Sequence, residues 1–317
     1  MSAGRSLSLG GALSKGLAGP LLLLLLVAAL VLAGVLAPNA DAQARWRVRL
    51  PLEAQRIGNF RHPRLIESSG VIASRRYPGV FWTLNDSGNP PEIFATDSTG
   101  RDLGVYTVTG AANYDWEAIT RGPCGSEECL YIADTGDNDE IRRSVRLYRV
   151  PEPAVQVGGR GVTPRAEVLE VRYPDGPHDV EAAVVDSTGA VLLVSKGRSR
   201  GVQAFRIPAS GWARKAVTAE ALGRLPVAPG RGVRGLVTDA ALSPDGTEIA
   251  VRTYVEIFFF RLGPKDALLP LGTACDVTGL ELQGEGLTWL ADDSFLLTSE
   301  GGFGVPGTLT LVRCSRE

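Results

Sequence analysis

The apolar residues of this chain come in short runs separated by turn residues. Clear examples are 80–82, 130–132, 191–194, 256–260 and 295–297. Clusters of Gly, Pro, Asp and Asn lie between the runs, and almost no window after residue 42 shows the 3.6-residue period of an amphipathic helix. Many short strands joined by tight turns are typical of an all-β protein. The pattern therefore predicts an all-β fold.

The strands belong to a larger repeat that recurs at intervals of 46 to 64 residues. Each unit begins with an acidic residue followed by small or apolar residues, and these acidic heads are Glu67, Glu117, Glu181, Asp239 and Glu285. An apolar strand follows in each unit, and its polar ends are Asn85, Asp134, Lys196, Arg252 and Glu300. A repeat of about 50 residues with four strands predicts one blade of a β-propeller.

Five four-stranded units are visible, and a sixth, more divergent one stays open in 151–178 or 201–235. The fifth unit ends with a single strand at 307–314 after Glu300. We expect the N-terminal segment near 45–50 to supply the missing outer strand. A ring closed in this way leaves no open sheet edge.

The N-terminus has the pattern of an export signal. Arg5 and Lys15 precede an uncharged apolar run at 21–37, and 38–42 ends in a small-x-small motif. We therefore predict a signal peptide at 1–42 and a single secreted or periplasmic domain at 43–317. The alternative is a membrane anchor at 21–37, because 17 apolar residues reach the lower limit for crossing a bilayer.

All four cysteines follow the predicted signal. An even number of cysteines in an exported protein favours disulfides. The short loop between Cys124 and Cys129 suits a turn, so we expect these two to pair and Cys275 to pair with Cys314. A zinc site is the alternative, but the spacing is not C-x-x-C and export disfavours free thiols.

Charge and motifs exclude several classes of protein. The net charge of −2 gives no electrostatic case for nucleic-acid binding, and two histidines cannot form a His-rich metal site. The chain lacks the G-x-S-x-G, H-E-x-x-H and P-loop motifs. The expected partner is a small molecule, a glycan or a cell-envelope protein, and we expect a monomer.

Four segments resemble a known group of proteins. They are 82–88 (WTLNDSG), 115–119 (DWEAI), 131–138 (YIADTGDN) with Arg142 or Arg143, and 251–254 (VRTY). Together they resemble the exported bacterial β-propellers grouped near the phytase-like, esterase-like and TolB-like sets. The resemblance spans roughly 65 to 300 and implies the fold, whereas activity has to be argued from the site itself.

The repeated carboxylates are expected to lie near one mouth of the central channel. The candidate metal ligands are Glu67, Asn85, Glu117, Asp134, Asp137, Asn138, Glu181, Asp239 and Glu285. Carboxylates this close repel one another, and a hard cation such as Ca²⁺ would offset the repulsion because it prefers oxygen ligands. Pairing with the predicted channel cations Lys196 and Arg252 is a second solution. A purely structural role, hydrogen bonding to the next blade, is a third.

Two functions follow from these candidates. The first is a ligand- or partner-binding propeller of the cell envelope with an acidic, calcium-binding channel mouth. The second is a metal-dependent hydrolase of a phosphoester, ester or lactone, with Glu117, Asp137, His178 and Glu181 as catalytic candidates and His178 as a general base. The structural alternatives are an Asx-turn for the polar loop at 134–138 and a loop or capping role for His178.

Overall fold

The computed structural model describes residues 48–50, 52–227, 232–291, 293–302 and 304–315. The predicted signal peptide at 1–42 and the alternative anchor at 21–37 lie outside this range. Within the described residues, no helix is both long enough and apolar enough to cross a membrane.

The described chain is built almost entirely from short strands. In chain order they are β1 (Val48–Arg49), β2 (Leu52–Asn59), β3 (Ser68–Ala73), β4 (Val80–Asn85), β5 (Glu92–Asp97), β6 (Asp102–Thr107), β7 (Trp116–Cys124), β8 (Glu127–Asp134), β9 (Val145–Pro151), β10 (Arg160–Val162), β11 (Glu167–Arg172), β12 (Val180–Val185), β13 (Val191–Ser195), β14 (Gln203–Ile207), β15 (Ala216–Thr218), β16 (Glu220–Arg224), β17 (Val237–Leu242), β18 (Glu248–Thr253), β19 (Glu256–Leu262), β20 (Leu268–Asp276), β21 (Gly284–Ala291), β22 (Ser294–Ser299) and β23 (Thr308–Cys314). One short helix, α1 (Gly211–Arg214), and two 3-10 turns, Gly232–Gly235 and Pro264–Asp266, interrupt them.

The strands form five sheets arranged as the blades of a propeller. From the channel outward, blade one is β3-β4-β5-β6, blade two β7-β8-β9-β11, blade three β12-β13-β14-β16, blade four β17-β18-β19-β20 and blade five β21-β22-β23-β2. The inner strands contact one another in a closed ring, in the order β3, β7, β12, β17, β21 and back to β3. The prediction of an all-β propeller with five four-stranded blades is therefore confirmed.

The segments in which a sixth blade stayed open belong to blades one, two and three. Strand β10 adds a parallel strand to the outer edge of blade one, and β15 does the same for blade two. Strands β11, β14 and β16 are regular outer strands of blades two and three. The described parts of 151–178 and 201–235 thus contain no sixth blade.

The N-terminal segment closes the ring, although not with the predicted residues. The outer strand of blade five is Leu52–Asn59, which pairs antiparallel with β23. The expected 45–50 segment is wrong in position, because Val48 and Arg49 instead pair in parallel with β20 of blade four. Leu52 and Ile57 explain the choice, since they pack against the hydrophobic clusters on the two sides of blade five.

Five hydrophobic clusters lie between the blades, one at each interface. Each blade therefore buries both of its faces, and strand β12, for example, is buried along its whole length. This double burial removes the alternation of apolar and polar residues that a half-exposed strand shows. It explains why the sequence shows continuous apolar runs.

Both predicted disulfides are present. Cys124 and Cys129 bridge the β7–β8 hairpin, and Cys275 and Cys314 join blade four to blade five. Such bonds persist in oxidising compartments and are rare in reducing ones. The two disulfides therefore indicate an extracellular or periplasmic environment.

Each inner strand carries a β-bulge at the same level of the ring. The pairing register shifts across Ser69, Glu117, Glu181, Thr238 and Glu285, one residue in each blade. A bulge inserts one residue into a strand and changes the direction of the side chains around it. These five residues, called the bulge ring below, are structurally equivalent and position the candidate site.

Candidate functional site

The bulge ring differs from the repeat of acidic heads that the sequence suggests. Glu117, Glu181 and Glu285 belong to both sets. In blade one, however, the bulge residue is Ser69, two residues after Glu67. In blade four it is Thr238, the residue before Asp239.

Three blades bring carboxylates together around Glu117. Carboxylate oxygens of Asp86, Asp115 and Glu117 all lie within 4.8 Å of one another. The same is true of oxygens from Glu117, Asp179 and Glu181. Glu117 is common to both groups and is only 4% exposed. We call these five residues the acidic mouth.

Local chain geometry explains how the acidic mouth assembles. Asp115 lies two residues before Glu117, and Asp179 lies two residues before Glu181. Both aspartates lie in the loops that enter the inner strands β7 and β12, and the bulge at each glutamate changes the direction of the side chains next to it. Asp86 follows strand β4 of blade one, and its backbone N–H donates to Glu67 O at 2.9 Å.

Two of these carboxylates lie directly against the α-carbon of Gly136. A β-carbon at residue 136 would lie 2.2 Å from Glu117 Oε1 and 2.5 Å from Asp115 Oδ2. The Gly136 N–H also donates to the carbonyl oxygen of Asp115 at 3.1 Å. Only glycine leaves room for the carboxylates in this arrangement, which gives the Thr135-Gly136 step of the DTGDN segment a physical reason.

The acidic mouth has fewer cations than carboxylates. Lys196 Nζ donates to Glu181 Oε1 at 2.5 Å and is itself buried. Arg198 Nε donates to Asp179 Oδ2 at 2.8 Å. Ser69 Oγ, a neutral donor, lies 3.0 Å from Glu117 Oε2. Among the described residues, no ion pair is formed by the Asp86, Asp115 or Glu117 carboxylates.

Burial and mutual repulsion raise the pKa values of this group. Burial raises the pKa of Glu117 well above its usual value, and the charges of Glu181 and Asp86 raise it further. Burial also raises the pKa of Glu181, against the opposing effect of Lys196. Burial, followed by Asp86 and Asp179, raises the pKa of Asp115 to about 6. Without a bound cation, burial and mutual repulsion therefore disfavour full ionisation of these carboxyl groups.

Glu300 and Glu285 extend this acidic region toward blade five. Burial raises the pKa of Glu300 to about 8, with further contributions from Glu285, Asp86 and Glu67. Tyr254 Oη donates to Glu285 Oε1 at 3.0 Å, and burial raises the pKa of Glu285 as well.

The DTGDN segment is held by arginines and backbone groups. Arg142 Nη2 donates to Asp134 Oδ1 at 2.9 Å, and the Arg142 N–H donates to Asp137 Oδ2 at 2.7 Å. The Asp137 N–H donates to Asp179 Oδ1 at 2.9 Å, and Asn138 Oδ1 accepts from Arg198. Neither carboxylate group of the acidic mouth includes Asp134, Asp137 or Asn138. These residues instead contact the arginines and Asp179 and so hold the loops around the mouth in place.

Two blade-one candidates are also engaged in loop contacts. Asn85 Oδ1 accepts from the backbone N–H groups of Ile66 and Glu67, and its Nδ2 donates to Arg64 O at 2.6 Å. Glu67 Oε2 accepts from Asn89 Nδ2 at 2.6 Å.

Asp239 and Arg252 join blade four to blade five. Asp239 Oδ2 accepts from the Leu287 N–H at 2.7 Å, which is the hydrogen bond to the next blade that the structural alternative requires. Arg252 donates to Gly286 O and Thr298 O and pairs with the buried Glu281. Val180 pairs with Ser195 in blade three, and Val237 pairs with Thr253 in blade four. The residues that follow these partners are Lys196 and Tyr254, so the equivalent of Lys196 in blade four is Tyr254 and not Arg252. Arg252 is thus an inter-blade link.

His178 is packed against aromatic rings. Its ring centroid lies 5.3 Å from that of Tyr173 and 4.9 Å from that of Phe205, and Nε2 is 2.8 Å from Asp175 Oδ1. The side chain is 2% exposed. These contacts are those of a residue that fixes the loop before Asp179.

Asp115 and Asp179 were missing from the predicted ligand set, as were Asp86 and the bulge residues Ser69 and Thr238. A signal for the two aspartates was present, since Asp-x-Glu occurs at 115–117 and again at 179–181. No comparable signal marks Ser69 or Thr238, because small hydroxyl residues break the acidic pattern.

The donor set of the acidic mouth suits a hard divalent cation. Its ligating atoms are all carboxylate oxygens, which Ca²⁺ prefers, and Ca²⁺–oxygen distances of about 2.3–2.6 Å place two ligands of one ion within about 5 Å of each other. The spacing of 4.8 Å or less between the oxygens meets this condition.

Comparisons with known proteins add only structural likeness. No protein-family model and no curated protein matches the chain. An aldose sugar dehydrogenase from Streptomyces coelicolor, solved with PQQ, is 11% identical with a TM-score of 0.49 and covers 84% of this chain and 100% of its own. Virginiamycin B lyase from Staphylococcus aureus is 12% identical, with a TM-score of 0.41 and coverages of 81% and 69%. A gluconolactonase from Xanthomonas campestris is 12% identical, with a TM-score of 0.43 and coverages of 87% and 93%. At this identity, such likeness carries no information on function.

Proposed function

We propose that the protein is an exported binding propeller whose acidic mouth holds a Ca²⁺ ion and presents it to a ligand. The observation that carries this proposal is that five carboxylates from three blades come together, whereas only two of them contact a basic side chain of the described residues. The signal-like segment at 1–42 and the two disulfides support export to the periplasm or beyond.

The ion is expected on the Asp86–Asp115–Glu117 side of the mouth. Asp179 and Glu181 already contact Arg198 and Lys196, whereas the other three carboxylates form no such ion pair with a described residue. Asp86 and Asp115 are also partly exposed. Solvent access leaves coordination positions for oxygen atoms of a ligand, such as the hydroxyls or carboxylates of a glycan.

Calcium titration of the purified protein tests the proposal. We expect Ca²⁺ to raise the melting temperature and EGTA to reverse the change, because an ion at 100 times its Kd stabilises the folded state by about 2.7 kcal/mol. Glu117→Gln should abolish the shift. Asp97→Asn is the matched control, since Asp97 lies in a distant turn and accepts hydrogen bonds from Thr99 that an amide oxygen can keep. A wild-type protein with no bound calcium by mass spectrometry and no shift would overturn the proposal.

A metal-dependent hydrolase of a phosphoester, ester or lactone is the second candidate. The observation that favours it is Asp115, a partly exposed carboxylate whose pKa of about 6 suits a general base near neutral pH. A bound cation would supply polarisation of the substrate oxygen. Chromogenic phosphate and carboxyl esters and a lactone should then be hydrolysed by the wild type and not by Asp115→Asn. No turnover in the calcium-loaded protein would leave the binding function alone.

A further inference from the structure

Exposed apolar side chains concentrate on the face of the propeller that carries the acidic mouth. Among the described residues, ten large apolar side chains are exposed. Six of them lie in loops that enter an inner strand or leave a second strand, which is the end where the mouth opens: Ile66, Tyr114, Ile141, Val233, Leu282 and Val305. Exposed apolar groups gathered on one face mark interaction surfaces more often than scattered ones do.

Backbone contacts bring together the loops of blades five, one and two that carry four of these residues. The Gly301 N–H donates to Ile66 O at 2.8 Å, and the Gly302 N–H donates to Val305 O at 2.9 Å. Leu282 is fixed beside blade five, because the Glu300 N–H donates to the carbonyl of the next residue, Gln283, at 2.9 Å.

Tyr114 lies at the blade-two end of these loops. Its neighbour Asn113 donates from Nδ2 to Asp86 O at 2.8 Å and to Asn85 O at 3.1 Å, which ties this loop to blade one. The Arg146 guanidinium lies 5.4 Å from the centre of the Tyr114 ring, and Tyr114 remains 61% exposed. We call Leu282, Val305, Ile66 and Tyr114 the apolar arc.

Two carboxylates lie within the arc. Glu67 directly follows Ile66, and Glu300 directly precedes Gly301, whose N–H contacts Ile66. Neither forms an ion pair with a described Lys or Arg, and Glu67 accepts only from Asn89. Burial is the main cause of the raised pKa of Glu300, and the charges of Glu285, Asp86 and Glu67 raise it further.

We propose that the apolar arc docks an extended segment of a partner protein that presents a Lys or Arg between apolar residues. The basic group would sit between Glu67 and Glu300, and the apolar neighbours would contact Ile66, Val305 and Leu282. Charge complementarity selects this partner, because a cationic side chain between Glu67 and Glu300 would favour the charged carboxylates and offset their repulsion, whereas an anionic lipid surface or a nucleic acid would increase it. A surface tyrosine such as Tyr114 is a frequent interface anchor.

This inference rests on the proposed binding function and names its partner, but it uses residues outside the carboxylate groups centred on Glu117. The two ideas can therefore fail separately. Variants of the arc should keep the calcium-induced rise in melting temperature. Glu117→Gln should lose that rise and keep partner binding in EGTA.

A pentapeptide array tests the partner class. It carries apolar-x-basic-x-apolar peptides, with matched sets in which Glu replaces the basic residue or Ser replaces the apolar ones. We expect the full protein to bind members of the first set only. Fluorescence anisotropy on the best binder, in calcium and in EGTA, should show at least tenfold weaker binding for Glu300→Gln and for Leu282→Ser. Val162→Ser, a matched exposed change on the outer edge of blade one, should bind as the wild type does.

Several outcomes would overturn the inference. They are no binding by any basic peptide, equal binding by the Glu-substituted set, or wild-type binding by both arc variants. Binding to phosphatidylglycerol vesicles without peptide binding would replace a protein partner with a membrane surface.

Discussion

Two blade interfaces in this propeller bury charged groups in opposite ways. Between blades four and five, Asp239 accepts backbone N–H groups from Leu287 and Ala240, each at 2.7 Å. Arg252 in the same interface donates to backbone carbonyls and pairs with Glu281. At the acidic mouth, by contrast, two of the five carboxylates pair with Lys196 and Arg198, and no described residue forms an ion pair with the other three.

The difference shows that a buried, repeated carboxylate does not by itself mark a functional site. A buried charge is tolerated when hydrogen-bond donors or a counter-charge satisfy it. Asp239 meets that condition within the protein. The carboxylates around Glu117 do not meet it from the described residues, and this imbalance is what a bound cation would correct.

The largest expected change in stability comes from breaking the Arg252–Glu281 pair between blades four and five. Arg252→Leu should lower the free energy of unfolding by about 3–5 kcal/mol, because it leaves Glu281 buried without its partner. Urea denaturation measures the change. Arg172→Leu is the control, since its pair with Glu170 is exposed and worth less than about 1 kcal/mol. An equal loss in the two variants would mean that the Arg252 interface stabilises no more than a surface pair.

A substitution at the acidic mouth should change the free energy of unfolding in the opposite direction. Glu117→Gln should stabilise the calcium-free protein by about 1–3 kcal/mol at a pH high enough to ionise Glu117, because it removes a buried carboxylate that lacks a counter-charge. Glu152→Gln is the matched buried control. Glu152 Oε1 accepts from both Trp82 Nε1 and Ser74 Oγ, and the amide oxygen of Gln can keep both bonds, so this substitution should change the stability little and should not stabilise the fold. Destabilisation by both substitutions in EGTA would contradict the contrast between the two interfaces.

A smaller change adds one methyl group at Gly136, beneath the carboxylates of the acidic mouth. Gly136→Ala places a methyl group where Glu117 and Asp115 now rest, so the carboxylates must move apart. We expect calcium to bind about tenfold more weakly, equivalent to about 1.4 kcal/mol, by isothermal titration calorimetry. Gly302→Ala provides the comparison, because nothing lies within 4 Å of its added carbon. Unchanged affinity in Gly136→Ala would place the ion elsewhere.

The smallest expected effect is a change in how stability depends on pH. Folding raises the pKa of Asp115 from 3.8 to about 6 and that of Glu300 from 4.5 to about 8. The folded state therefore binds more protons than the unfolded state between about pH 4 and 8, and stability falls as pH rises through this window. The slope is at most about 1.4 kcal/mol per pH unit for each retained proton.

Denaturation at pH 5, 6, 7 and 8 in EGTA measures this slope. Saturating calcium should reduce it, since the ion replaces the proton of Asp115 and leaves that of Glu300, and Glu117→Gln should also reduce it in EGTA, because it removes a carboxylate beside Asp115. If the dependence of stability on pH were the same with and without calcium, the groups that titrate would not be those that bind the ion.

Much of the fold could be predicted because it depends on local pattern. Apolar runs and turn residues predicted the strands, and the period of about 50 residues predicted the blades. The short Cys124–Cys129 loop predicted one disulfide and, by elimination, the other. Ring closure by the N-terminus was predicted in kind, but the strand lies at Leu52–Asn59, because apolar contacts with two blade interfaces selected that segment.

The candidate site was predictable only in part. Glu117 and Glu181 were singled out and lie in the acidic mouth, whereas Asp134 and Asp137 turn to Arg142. The reason is register: a one-residue shift in a strand sends a side chain to the opposite face. The bulges of β3 and β17 make Ser69 and Thr238 the equivalents of Glu117, and nothing in the spacing of acidic residues reveals those shifts.

The sequence by itself determined the propeller architecture, the strands of five visible blades and an excess of carboxylates at the start of the inner strands, because these depend on residue type and short-range periodicity. It left a sixth blade open, and the described structure assigns those segments to blades one, two and three. Only the tertiary structure decided which carboxylates share one space. That outcome depends on bulges, on Gly136 and on donors supplied by neighbouring blades. The charges in this site interact across distances between blades. The hydrophobic pattern along a single strand carries no information on those distances.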